Sequence, residues 1–226
     1  MSLWTRIAEA VAALAKGEGL LAVFEKLRVS PDRTVAFAIA VIALGAKMAK
    51  ADGVVTKDEV VAFREVFSIP PEEEDNAARV FNLARQDVAG FESYAKQIKA
   101  MFAADDAVLC HLMEGLFQIA LADGVYHPKE NDFLLTVAKI FGFDDRRFRG
   151  IRAQFVSDAE RDPFDVLGVS PSAPMDEVRA AWRSLVRETH PDRMIARGVP
   201  QEAVKLAERR LVAINRAWEE IQGVRA

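Results

Sequence analysis

Apolar residues recur at three- and four-residue spacing along almost the whole chain, and no stretch alternates apolar with polar as a half-buried strand does. A chain with that one period buries its apolar faces by packing helix on helix, so the expected class is all-α. Start signals divide the pattern into elements. Ser30-Pro31-Asp32-Arg33 reads as a helix start, with Ser30 able to cap and Pro31 in the first turn. Pro71 opens another, and the acids from Glu72 to Asp75 face its positive dipole end, so they are not read as an acidic recognition tail. Residues 144–155, DDRRFRGIRAQF, read as a short basic helix whose arginines form a solvated face.

Two apolar runs could be mistaken for membrane or export segments. Residues 35–46, VAFAIAVIALGA, are followed at once by Lys47, Lys50 and Asp52. A span needs about 20 apolar residues, so this run is expected to be a buried core helix. At the N-terminus Trp4, Ile7, Val11 and Leu14 lie at helical spacing and Glu9 interrupts the run, which fits an amphipathic helix and not a signal peptide. That helix is expected to pack on the domain behind it; docking on a membrane surface is the minor alternative. A lone cysteine, Cys110, allows no internal disulfide and fits a reducing compartment, so the expected location is cytoplasmic. A net charge of −4 gives no electrostatic case for nucleic acid or an anionic membrane.

With 226 residues the chain can form two modest domains. The break is expected at 156–162, which is polar, charged and without apolar period. The division is then an N-terminal amphipathic segment (1–29), a larger helical domain (30–155), a linker (156–162) and a C-terminal unit (163–226).

The larger domain contains a weak duplication. KMAKADGVVTKDEVVAFREVF at 47–67 echoes QIALADGVYHPKENDFLLTVA at 118–138, with Asp52/Asp123 and Glu59/Glu130 each 71 positions apart. Each unit reads as an apolar helix ending at Asp-Gly, a turn and a new helix, and two such hairpins can pack about a pseudo-twofold axis. Four carboxylates brought together would repel unless a cation neutralised them, which admits a divalent-metal site. The other reading is structural: Gly53 and Gly124 suit left-handed helix ends, Thr56 with Glu59 makes a capping box, and His127 with Glu130 is a near variant.

These ADG turns, each followed by a glutamate, resemble the TerB-like helical domain of tellurite-resistance proteins, over roughly residues 30–150. The resemblance implies an acidic, metal-associated site whose candidates here are Asp52, Glu59, Asp123 and Glu130.

In the C-terminal unit, Val178, Trp182 and Leu185 form an apolar stripe, while Arg179, Arg183 and Arg187 form a guanidinium ridge on the same helix. Leu206, Ile214, Ala217, Trp218 and Ile221 supply the facing stripe of a last helix, roughly 200–222. His190-Pro191-Asp192 then lies at the exposed tip of an antiparallel hairpin, because Pro191 disfavours helical geometry at His190. The other histidines, His111 and His127, and Cys110 lie in the other domain, and no nucleophile or ligand set has a recognisable spacing around His190. Presentation to a partner is therefore expected over catalysis or a purely structural turn, and Cys110 is read as a core thiol.

PFDVLGV, DEVRAAWRSLVRETHPDR and AINRAWEEI, in that order over residues 163–222, resemble a J domain of the DnaJ family. The turn after HPDR and the order of domains resemble the DjlA-like type, although this chain departs from its membrane-anchored members in showing no N-terminal span. The resemblance implies a co-chaperone that engages a DnaK-type heat-shock chaperone through His190, Pro191, Asp192, Arg179, Arg183 and Arg187, and stimulates its ATP hydrolysis without being an enzyme itself. Ser184 and Glu188 stand at positions often basic in the family, which weakens the ridge. No cofactor is implied for the J domain. The TerB-like domain is expected to recognise a client or self-associate. The alternative is an ion- or envelope-stress-sensing module, and a closed arrangement hiding His190 would make an autoinhibited regulator.

Overall fold

The computed structural model describes residues 3–12, 22, 33–52, 71–86, 90–102, 105–122, 124–156, 162–197, 199 and 204–225. Among them the regular elements are all helical: α1 (Leu3–Ala12), α2 (Arg33–Asp52), α3 (Glu74–Gln86), α4 (Phe91–Phe102), α5 (Asp106–Ala120), α6 (Pro128–Phe141), α7 (Asp145–Phe155), α8 (Pro163–Leu167), α9 (Met175–Glu188), α10 (Pro191–Ala196) and α11 (Val204–Arg225), with one 3-10 turn at Pro71–Glu73. The chain is all-α, as its single apolar period requires.

The apolar run at 35–46 is the axis of the larger unit. Helix α2 packs against α1, α3, α4, α5 and α6. Its side chains from Val35 to Met48 are buried all round, Lys47 included, so that stretch shows no solvent face. Lys47 lies with its ammonium 5.1 Å from the centre of the Tyr94 ring. Leu3 and Ile7 join the same core, so α1 docks on the domain behind it. Among the described residues no helix is long and apolar enough to cross a membrane.

Helix α5 carries the core onward, with Phe117 stacked on Phe155 at 5.6 Å and tilted against Phe148 and Tyr126. It ends at Ala120, short of the Asp-Gly pair expected to stop it. The chain unwinds through tighter bonds, Ala122 N–H to the Ile119 carbonyl and Gly124 N–H to the Leu121 carbonyl, and Gly124 takes the left-handed conformation (φ 82°). The new helix, α6, starts as its capping residues require. Pro128 occupies the first turn, and the His127 N–H donates to the Glu130 carboxylate at 2.9 Å.

Helix α7 begins at Asp144, whose carboxylate accepts the Arg147 N–H at 2.7 Å. Its arginines stay partly open to solvent, Arg149 most of all, but each also has a partner. Arg147 lies over the Phe143 ring at 4.1 Å and pairs with Asp106, Arg152 faces the Tyr126 ring, and Arg146 and Arg149 both reach Asp165 of the C-terminal unit. The helical period identified the element, but an apolar-stripe count cannot see a carboxylate that arrives from another domain.

The C-terminal unit has its own small core of Val166, Leu167, Val169, Ala173, Val178, Ile214, Ala217, Trp218 and Ile221. Helices α9 and α11 form the hairpin and α8 pins its base. Trp182 and Trp218 stack at 5.0 Å, and the Trp182 indole N–H donates to Asn215 across the hairpin.

Candidate functional site

Helix α9 stops where Pro191 makes it stop. Glu188 is the last residue, Thr189 caps the end with its N–H bonded to the Leu185 carbonyl, and His190 is extended (φ −59°, ψ 131°). A short helix that the sequence did not suggest begins at once, with Pro191 in its first turn and His190 as its cap, and the last helix expected over roughly 200–222 follows as α11. The His190 Nδ1 accepts the Asp192 N–H at 3.3 Å, and the His190 carbonyl accepts the Arg193 and Met194 N–H groups. Pro191 cannot continue α9, yet its fixed φ suits the first turn of α10. One dipeptide thus ends one helix and starts the next.

The tip this creates faces solvent. The His190 side chain is 57% exposed and that of Asp192 88%, with 3.7 Å between Nδ1 and the carboxylate. Beside them runs an open groove of about 410 Å³, floored by Trp182 and Val186 and edged by Arg183, Arg187 and Arg193. Arg183 and Arg187 are exposed and enter no ion pair among the described residues. Arg179 belongs to the ridge by spacing, but its guanidinium lies 6.0 Å from the Trp218 ring, on the hairpin itself. Ser184 and Glu188, which interrupt the ridge, are bonded to each other at 2.9 Å. A surface of this kind offers bidentate donors to carboxylates and one carboxylate, Asp192, to a cation.

The reverse side of the tip is embedded. Met194 of α10, Val199 and Ala207 of α11 are fully buried, and all belong to the core of the larger unit. Arg197 reaches Asp105 at 3.6 Å. Deeper in the seam, Arg210 of α11 donates to Glu114 of α5, and the other Glu114 oxygen bonds to His111 Nδ1 at 2.9 Å. Burial pushes the Glu114 carboxyl up, but the Arg210 guanidinium and His111 outweigh it and hold the group below its ordinary value. Burial likewise opposes the charge on Arg210, and Cys110 and Glu114 more than offset that. Cys110 is buried beside this pair, and burial pushes its thiol up, which suits an inert core thiol. At the rim, α7 and α8 touch backbone to backbone: a Cβ on Gly150 would come within 2.3 Å of the Asp165 carbonyl oxygen.

The two units therefore pack closely and still leave His190 open, so the closed arrangement is not a masked one. The seam was missed in the sequence, although one signal pointed to it. Arg210 lies on the buried stripe of α11, between Ala207 and Ile214, where a charge needs a buried partner.

The acidic set from the repeat is only partly visible. Glu130 is buried and engaged as the α6 cap. Asp52 ends α2, but its side chain, Glu59, Asp123, Gly53 and Thr56 lie outside the described residues. Among the described residues no group of three His, Cys, Asp or Glu side chains is placed to hold a metal ion.

Comparison with known proteins divides the chain in the same order. Residues 38–153 match the family described as tellurite resistance protein TerB, and residues 162–222 match the DnaJ domain. The chain is 27% identical over 219 residues to a protein named co-chaperone protein DjlA from Photobacterium profundum, covering 85% of this chain and 79% of that one. It is 28% identical over 199 residues to the protein of the same name from Coxiella burnetii, covering 79% and 74%. With that from Vibrio cholerae serotype O1 the identity is 28% over 207 residues, covering 77% and 73%. No solved structure matches the chain. A helical domain matching over half the chain, joined to a hairpin with an exposed His190-Pro191-Asp192 tip, makes this chain a member of the TerB family and a J-domain protein of the DjlA-like type.

Proposed function

We propose that this protein is a co-chaperone that docks on a DnaK-type heat-shock chaperone through its tip and stimulates the partner's ATP hydrolysis. The observation that carries this reading is the exposure of His190 and Asp192 beside Arg183 and Arg187, which enter no ion pair among the described residues, although α8, α10 and α11 also touch the larger domain. Relatives over most of the chain bear the name co-chaperone, which supports the same reading. The arginines steer the tip toward an acidic surface and form bidentate contacts there. Asp192 accepts a cation of the partner, while His190 and Pro191 fix the helix start that presents it. Bond cleavage belongs to the partner's active site, and this chain acts as its regulator.

The test is single-turnover ATP hydrolysis by a DnaK-type chaperone with the full chain, His190→Gln or Asp192→Asn added. Stimulation by the wild-type chain that both variants lose, with helix content unchanged by circular dichroism, is the expected result. Equal rates with all three would refute the reading.

A further inference from the structure

The His190-Pro191-Asp192 tip belongs to the C-terminal unit by sequence, but the helix that carries it also enters the core of the larger unit. Helix α10 has two sides. Asp192, Arg193 and Ile195 face solvent, while Met194 is fully buried in the core of the larger unit. The chain leaving α10 stays on that surface: Arg197 pairs with Asp105 and donates to the Glu188 carbonyl, and Val199 is buried in the same core. Helix α11 then returns past α5, where Arg210 meets Glu114.

These contacts add to the packing of α10 on α9 and α11 and tie it to a second core as well. The Trp182–Trp218 stack and the Val178–Ile214 stripe form within the C-terminal unit and would hold α9 against α11 without the larger domain. Met194, Val199 and Ala207 fall in the core of the larger unit and not in the hairpin's own, and Arg210 meets Glu114 of α5. The seam is also specific in direction. A buried carboxylate held on one side by His111 offers its remaining oxygen along one line, and Arg210 fills it. Apolar burial alone tolerates sliding, whereas a charge pair out of water does not.

We infer that the larger domain is a positioning element for the tip: the Glu114–Arg210 pair and the buried Met194 and Val199 hold α10 in one orientation, so the partner meets both domains as one body. Glu114 and Asp105 are then positioning residues that act through Arg210 and Arg197 without touching the partner. This rests on the co-chaperone reading for its functional consequence, but its structural half stands apart from that reading.

Two measurements on the full chain separate the halves. Amide hydrogen exchange of residues 189–197, with no chaperone present, reads the tip directly. Glu114→Gln keeps the shape of the side chain and removes its charge; Asp105→Asn, at the edge of the seam, is the milder variant that keeps the test open if the first fails to fold. Exchange at 189–197 is expected to rise about tenfold or more in Glu114→Gln and less in Asp105→Asn, with exchange in α4 and α6 unchanged. In the hydrolysis assay the co-chaperone concentration for half-maximal stimulation should rise about tenfold in Glu114→Gln, while the maximal rate is kept. That split distinguishes positioning from damage to the tip, which lowers the maximum. Folded variants with wild-type exchange at 189–197 would overturn the inference, as would faster exchange with an unchanged half-maximal concentration. A wild-type chain that gives no stimulation at all would overturn the co-chaperone reading, and exchange would still decide whether the seam orders the tip.

Discussion

The C-terminal unit uses the same residue types in opposite ways at two places. In the seam, Arg210 is buried and paired with Glu114, and at the tip Arg183 and Arg187 are exposed and enter no ion pair among the described residues, beside Asp192. A charge removed from water without a partner is costly, so Arg210 could not occupy its stripe unless α5 supplied a carboxylate. A charge left in water costs little, and it stays available to a surface outside the chain. At these two places burial separates the arginine that holds the units together from the arginines left open to solvent. The comparison also explains how the units touch without concealing the tip: α10 turns its apolar side inward and its polar side out.

The strongest way to break the comparison is to strip the seam of one partner. Glu114→Ala leaves Arg210 buried and uncompensated and should cost about 3–5 kcal/mol, read as a lowered denaturant midpoint. Acid provides the same test without that loss. The Glu114 carboxyl lies below its ordinary value in the folded chain, so the stability it contributes is fully present above pH 4.5, its ordinary value, and is lost as pH falls through the folded value. Wild-type protein should therefore lose more stability than Glu114→Gln between neutral pH and about pH 3. Equal losses in the two would show that the pair contributes no charge-dependent stability.

Local structure and the tip were legible in the sequence for a common reason: both depend on neighbours along the chain. Pro191 acts on His190, Glu130 bonds to His127, and the buried run at 35–46 follows from its own composition. The seam depends on pairs far apart in sequence, Glu114 with Arg210 and Asp165 with Arg146 and Arg149. No period or cap encodes those pairings, so the contacts of the α7 arginines with Asp165 were not legible. Arg210 was the visible irregularity, a guanidinium on an apolar stripe. The helix start at Pro191 was missed because a proline that ends a helix was not also credited with opening one.

A smaller effect comes from the rim of the seam. Gly150 lies inside α7, where alanine would ordinarily gain about 1 kcal/mol of helix propensity. Here the added carbon would meet the Asp165 carbonyl oxygen at 2.3 Å, a backbone atom that cannot swing aside. Overpacking of about 1–3 kcal/mol outweighs the gain, so Gly150→Ala should lower the midpoint and not raise it. A raised midpoint would mean that α7 and α8 separate freely, and the units would not be one body.

The smallest effect on stability belongs to the tip. Asp192 is 88% exposed and its carboxylate bonds to no backbone group among the described residues, so Asp192→Asn should leave the unfolding midpoint within about 0.5 kcal/mol of wild type. Arg183→Ala should behave alike, because the groove it edges is open to solvent. Salt then sharpens the contrast. Contacts between the exposed arginines and a partner are screened over about 10 Å at 0.1 M ionic strength, and a buried pair is screened far less. Raising salt should therefore increase the concentration of this chain needed for half-maximal stimulation while the unfolding midpoint of Glu114→Ala relative to wild type stays where it was. If salt moved both together, the tip and the seam would not be two uses of charge but one, and the packing of Met194 and Val199 alone would have to account for the orientation of α10.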